Sequence, residues 1–257
     1  MKTKLSLLFL SIWCVLASSA STRVIAHRGY WNYPGSAQNS IAALQNAARI
    51  GVYGSEFDVL MTADGVLVVN HDDTIDGMDI QTTPYEQLRN CKLKNGETLS
   101  TLESYLQEGA KHPRLKLILE LKPHRSAEQE MQAVKEVLRL VREKNLEQQT
   151  EFISFSLPIC SEFLQQSKQP VAYLNGELSP SELKEKGFSD MDYHFQVFAK
   201  HPEWLEQARE NGIRVNTWTI NDLSVMQRLI GQQVDYLTTD FPEETLLMIE
   251  KQAKQPR

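Results

Sequence analysis

Residues 24–29 read Val-Ile-Ala-His-Arg-Gly, residues 56–60 Glu-Phe-Asp-Val-Leu, and residues 62–72 Thr-Ala-Asp-Gly-Val-Leu-Val-Val-Asn-His-Asp. Each polar group ends or interrupts a short apolar, β-branched run, the pattern of a buried strand. Polar side chains on buried strands need partners, because an unpaired buried charge is very costly. Glu56 and Asp58 lie two residues apart and so share one face of their strand. Two carboxylates there repel unless a cation lies between them. Asp64-Gly65 between apolar runs is a hairpin signal. Read as a two-residue loop, it sets Asp58 directly opposite His71 and brings an imidazole beside the acids.

Working outward, residues 29–38 read as a loop rich in Gly, Pro, Asn and aromatics. Asn39 or Ser40 caps a helix through Ile41, Leu44, Ala47, Ala48 and Gly51, and the hairpin occupies 54–71. Residues 72–97, rich in Asp, Thr and Asn, read as an excursion rather than a core element. Helices are expected over Leu99–Ala110, Ala127–Lys144, Ile159–Gln166, Ser181–Lys186, Glu203–Asn211, Leu223–Ile230 and Glu243–Gln252. Strands are expected over Leu115–Leu121, Glu151–Phe155, Val171–Leu174, His194–Val197, Ile213–Thr219 and Val234–Thr238. With the hairpin's return arm counted apart, these form eight β-then-α units. Such alternation predicts an α/β fold, a closed (β/α)8 TIM barrel with a hairpin after the second strand and a small insertion. In that fold the active site lies at the C-terminal strand ends, where His27, Asp58, Glu120 and Trp218 fall. No linker divides the chain, so one domain is expected.

The 257 residues are 41% apolar, enough for a large core, and carry a net charge of -6. That balance argues against nucleic-acid binding, which needs clustered Lys and Arg. Lys2 and Lys4 precede an apolar run, Leu5 to Leu16, too short to span a bilayer, and Ser18-Ser19-Ala20 follows. The expectation is a signal peptide over residues 1–20, a mature domain over 21–257 and a periplasmic protein. A lipid anchor on Cys14 is the alternative, although Trp13 before it fits poorly. Cys91 and Cys160 are expected to be unpaired thiols, without metal-site spacing.

Together, Ile25-Ala26-His27-Arg28-Gly29, Glu56-x-Asp58 before Thr62-Ala63-Asp64-Gly65, and Val68-Val69-Asn70-His71-Asp72 resemble the glycerophosphodiester phosphodiesterase family. Leu119-Glu120-Leu121-Lys122, Asn216-Thr217-Trp218-Thr219-Ile220-Asn221 and Leu237-Thr238-Thr239-Asp240-Phe241-Pro242 follow in the family's order. The match runs roughly from residue 23 to 250. One departure is Ala37-Gln38-Asn39-Ser40, where the family usually has Pro-Glu-Asn-Thr; Gln38 is the neutral substitute beside Arg28. The segment 72–97 is also shorter than expected for a substrate-covering insertion.

Glu56, Asp58 and Glu120 form an all-oxygen set suited to a hard divalent ion, Mg²⁺ or Ca²⁺, rather than Zn²⁺. Without the resemblance, the same acids read equally as barrel-interior ion pairs with Arg28 and Lys122. With it, His27 and His71 are implied as acid and base. Arg28 and Lys122 are implied as phosphate-binding cations, and Trp218 as an apolar wall for glycerol. Phe155 could do similar work. The remaining histidines, 112, 124, 194 and 201, receive no role, although His194 could face the barrel mouth. The implied reaction is hydrolysis of a small-molecule glycerophosphodiester to sn-glycerol 3-phosphate and an alcohol. In it the cation-bound 2-hydroxyl loses a proton to one histidine and attacks phosphorus, the other histidine protonates the departing alcohol, and water opens the cyclic phosphate.

Two other readings stand beside this one. A phospholipase-type barrel acting on a phosphatidylinositol or sphingolipid-type diester would expose Tyr30-Trp31-Asn32-Tyr33 to a membrane surface. A phosphoester-binding protein would bind product without turnover. No stable membrane insertion is expected, and oligomeric state is left open.

Overall fold

The computed structural model describes residues 21–254. The expected signal peptide, including Cys14, lies outside them. The elements in order are β1 (Arg23–Ala26), α1 (Ile41–Ile50), β2 (Gly54–Met61), β3 (Leu67–Val69), β4 (Thr74–Ile75), β5 (Met78–Asp79), α2 (Tyr85–Leu88), α3 (Leu102–Gly109), β6 (Lys116–Leu121) and α4 (Ala127–Glu143). They continue with β7 (Thr150–Ser154), α5 (Leu157–Gln166), β8 (Val171–Tyr173), α6 (Pro180–Glu185), β9 (Asp190–His194), α7 (Phe195–Lys200), α8 (Trp204–Asn211), β10 (Arg214–Trp218), α9 (Leu223–Gly231), β11 (Tyr236–Thr239) and α10 (Pro242–Ala253).

Parallel pairing runs β1, β2, β6, β7, β8, β9, β10, β11 and back to β1, closing an eight-stranded barrel. The expected (β/α)8 fold is thus present. Outward side chains such as Phe57, Val59, Leu117, Leu119 and Phe152 pack beneath the helices in the main core. A smaller cluster of Ile25, Ile118, Ile153, Ala172, Leu174 and Tyr236 fills the barrel interior. Local chemistry starts the helices: Ser40, Thr101, Ser126, Ser156 and Ser179 each accept a backbone N–H with the hydroxyl.

Three expectations are corrected. Val59 pairs with Val69 and Met61 with Leu67, so Asp58 stands opposite Asn70 rather than His71. The loop has three residues, with Thr62 N donating to Val66 O at 2.9 Å and Gly65 in the left-handed region at φ 86°. A three-residue hairpin requires that conformation at its last position. His71 still reaches the site, because the chain leaves β3 after Val69 and bends. Second, the strand near His194 is Asp190–His194, and Phe195–Val197 begin α7. Acids alternating with Met191 and Tyr193 disguised that strand, while Phe195 and Phe198, three apart, mark one helix face.

Third, residues 72–97 are more than an excursion. Ile75, Ile80, Leu88, Cys91 and Leu99 pack with Leu60 and Val68 as a separate small core. The Glu97 carboxylate accepts from Ile41 N at 2.8 Å and Ala42 N at 3.1 Å, tying this insertion to the start of α1. Cys91 lies in the insertion core and Cys160 in the main one, both as free thiols. No helix among the described residues is long and apolar enough to cross a membrane.

Candidate active site

Strand alternation aims Glu56 and Asp58 inward, and the parallel register sets Glu120 of β6 beside Asp58. Each of these three buried carboxylates offers an oxygen within 4.8 Å of the others. Glu56 Oε2 accepts from Arg28 N at 2.7 Å, while its Oε1 is buried without a partner. Lys122 Nζ lies 2.8 Å from both Asp58 and Glu120. The ion-pair reading and the metal-site reading therefore describe the same residues. Asn39 clamps Asp58, donating from Nδ2 at 2.9 Å and accepting from its backbone N–H at 3.1 Å.

Burial, then the charges of Asp58 and Glu120, push Glu56 well above the ordinary carboxylate range. Burial and Asp58 likewise raise Glu120. Burial also opposes the charge on Asp58, but Lys122 and Asn39 outweigh it and hold this carboxyl low. Lys122, with the Arg28 guanidinium 3.6 Å from Asp58, leaves three acids against two cations. An orphaned carboxylate oxygen in an all-oxygen donor set fits a hard divalent cation.

Arg28 occupies the left-handed region at φ 54°, unusual for a non-glycine residue. That turn lets its N–H reach Glu56 while its guanidinium donates to Gln38 Oε1 at 2.8 Å. The neutral amide thus steadies Arg28 without cancelling its charge. Gly29 follows at φ 77°, where an added Cβ would lie 2.6 Å from Ala43 Cβ.

His27 directly follows β1, and its Nδ1 lies 2.8 Å from Asp240 Oδ1. Asp240 also accepts from Trp31 Nε1 at 2.9 Å and Asn221 Nδ2 at 2.7 Å. Burial works against that carboxylate's charge, but His27 and these donors hold its pKa low. His71 Nδ1 pairs instead with the exposed Asp72 at 2.7 Å. Sequence reasoning placed Asp240 in a matching stretch but assigned it no role. Its following α10 begins at Pro242, a helix-start signal that marks Asp240 as a strand-end residue.

All eight expected site residues, His27, Arg28, Glu56, Asp58, His71, Glu120, Lys122 and Trp218, line one cavity of about 150 Å³. Phe155 packs edge-on to Trp218 with centroids 5.6 Å apart, and both line it. Asp192 of β9, which the sequence reading missed, is a further lining residue; burial pushes its carboxyl up to about 7. His194 packs on Trp218 outside the cavity lining. His124 is structural: Met61 N donates to its Nε2 at 3.0 Å. Within the Tyr30–Tyr33 cluster, Tyr30 is buried and Trp31 is bonded to Asp240, while Tyr33 is exposed. Tyr33 lies under Arg49.

A carboxylate cluster, two imidazoles and two cations gather at the C-terminal mouth of a (β/α)8 barrel, a set able to hold a divalent cation beside an anionic ester. Residues 27–244 match the model of the glycerophosphoryl diester phosphodiesterase family. A glycerophosphodiester phosphodiesterase from Caldanaerobacter subterraneus is 28% identical over 90% of this chain and 98% of its own. A solved glycerophosphodiester phosphodiesterase from Parabacteroides distasonis is 46% identical, with TM-score 0.90 over 92% of this chain and 100% of that one. An Oleispira antarctica phosphodiesterase, solved in complex with the product sn-glycerol-3-phosphate, is 25% identical, with TM-score 0.74 over 90% and 97% of the two chains. The chain belongs to the glycerophosphoryl diester phosphodiesterase family.

Proposed function

We propose that this enzyme hydrolyses small glycerophosphodiesters to sn-glycerol 3-phosphate and an alcohol, with Mg²⁺ or Ca²⁺ held by Glu56, Asp58 and Glu120. The observation that carries this reading is the buried carboxylate trio lining one cavity with His27 and His71. The product complex of the Oleispira relative supports the same ligand class. The cation, when bound, supplies positive charge that acidifies a hydroxyl and offsets phosphate charge.

Arg28 and Lys122 hold the phosphate oxygens and stabilise negative charge as phosphorus becomes five-coordinate. Asp240 accepts a hydrogen bond from the His27 Nδ1–H, leaving Nε2 free to exchange a proton with the substrate. His71 supplies the second proton-transfer group on the other flank. One imidazole takes the proton of the glycerol 2-hydroxyl as its oxygen attacks phosphorus, and the other protonates the alcohol oxygen as its P–O bond breaks, leaving a cyclic phosphate. Water then opens the cyclic phosphate. Trp218 and Phe155 present apolar faces to the glycerol carbons.

The test is release of glycerol 3-phosphate from glycerophosphocholine by metal-loaded protein, read by a coupled assay with Mg²⁺, Ca²⁺ and chelator in parallel. Binding of glycerol 3-phosphate without turnover would sink the enzyme reading. Faster cleavage of vesicle phosphatidylinositol would favour the phospholipase reading, against which the bonded Tyr30 and Trp31 argue. The sequence-based inference of export to the periplasm is checked by intact mass of the mature chain, expected to begin near residue 21.

A further inference from the structure

We propose that Asp192 is the residue that selects a substrate carrying a free terminal hydroxyl, accepting a hydrogen bond from it on the floor of the active-site cavity. This deepens the glycerophosphodiester reading and rests on it. Asp192 is on β9, diametrically across the barrel from the carboxylates of β2, yet lines the same cavity. A ligand whose phosphate lies beside Arg28 and Lys122 therefore extends toward it.

Asp192 is 3% exposed, and its Oδ1 has no hydrogen-bond partner. Among the described residues that line the cavity, outside Arg28, Glu56 and Glu120, Asp192 is the one with a buried side-chain atom in that state. Its surroundings mix apolar and polar groups: Ile153, Ala172 and Leu174 form the neighbouring interior cluster, while Asn216 reaches the carboxyl and the charges of Glu120, Asp190 and Glu151 act on it, and Oδ1 is left without a partner. A carboxyl in such a place costs more than an aliphatic side chain unless a ligand completes its bonding. Asn216 and Trp218 are the polar neighbours with bonds of their own. Asn216 and Thr238 bond to each other at 2.9 Å, and Trp218 Nε1 donates to Asp192 O at 3.0 Å. That last bond fixes the indole against the residue it neighbours, pairing an apolar wall with one acceptor, the combination a short polyol needs. A carboxyl presents an acceptor oxygen in either protonation state.

The experiment compares sn-glycerol 3-phosphate with 2-hydroxypropyl phosphate, which lacks the terminal hydroxyl, by calorimetry on Mg²⁺-supplemented wild-type, Asp192→Ala, Asp192→Leu and Asp192→Asn proteins. The wild type should prefer the glycerol ligand by about tenfold or more, because a buried hydrogen-bonding group rejects the analogue that leaves it unpaired. Asp192→Ala and Asp192→Leu should reduce that preference to within about twofold. Asp192→Asn, which keeps an acceptor oxygen, should restore most of it. Equal weakening of both ligands in the Ala and Leu variants, or an undiminished preference, overturns the proposal, as does a wild type without preference. Thermal melts of all four proteins separate misfolding from lost selectivity. Failure of the underlying reading is seen separately, as no glycerol 3-phosphate release from glycerophosphocholine by wild type.

Discussion

His27 Nδ1 lies 2.8 Å from Asp240 Oδ1, joining the residue just beyond the first barrel strand to the residue just beyond the last. The carboxylate fixes the tautomer and the ring plane, so its removal should harm proton transfer more than substrate binding. Asp240→Ala is expected to lower kcat by about 10²-fold or more while KM changes by less than about threefold. An unaltered kcat with native circular dichroism would show that the pair only supports the fold.

His27→Ala and His71→Ala should each lose about 10²-fold or more in turnover of glycerophosphocholine with folding preserved. Near wild-type hydrolysis by both variants would remove the two-histidine mechanism.

The carboxylate cluster gives the metal effect a pH signature. Glu56 has its folded pKa raised above an unfolded value near 4.5, so the folded state holds a proton that the unfolded state has released. Stability of metal-free protein therefore falls as pH rises above that unfolded value. Asp58, held low, stays ionised across the same window and does not offset the loss. A divalent cation takes the proton's place, so the rise in Tm on adding Mg²⁺ or Ca²⁺ should be larger at about pH 8 than at about pH 5. A metal-induced rise that shrinks with increasing pH would contradict the assignment of the cluster.

Gln38 holds the Arg28 guanidinium through a single neutral bond. Gln38→Ala should raise KM for glycerophosphocholine by roughly threefold to tenfold, the range of one hydrogen bond, with a smaller effect on Tm. Steady-state kinetics would show the opposite pattern if the amide served only packing.

Gly29 is held between Glu56 O and the first turn of α1. Gly29→Ala would drive a Cβ to 2.6 Å from Ala43 Cβ and 2.8 Å from its backbone carbon, at a φ of 77°. A loss of about 2–3 kcal/mol is expected from overpacking and backbone strain, measured by urea unfolding. A change within about 0.5 kcal/mol would mean that α1 shifts freely.

The acids were legible because Glu56-x-Asp58 expresses a two-residue period on a single apolar strand. Helix starts were legible where a Ser or Thr precedes the periodic run, as at Ser40 and Thr101. The Asp64-Gly65 turn was read one residue short, because Asp-Gly serves both two- and three-residue loops and only strand pairing selects one. Glu97 as the partner of the α1 start, and Asp240 as the partner of His27, carried no local signal.

By itself the sequence determined the order of strands and helices, the in-facing carboxylates and the family motifs, since those depend on neighbours a few positions apart. Tertiary structure alone decided which distant residues meet. Barrel closure joins His27 to Asp240, 213 positions away, and sets Asp192 across the cavity from Glu56. Such pairings arise from strand register and barrel closure over the whole chain, which no local period encodes.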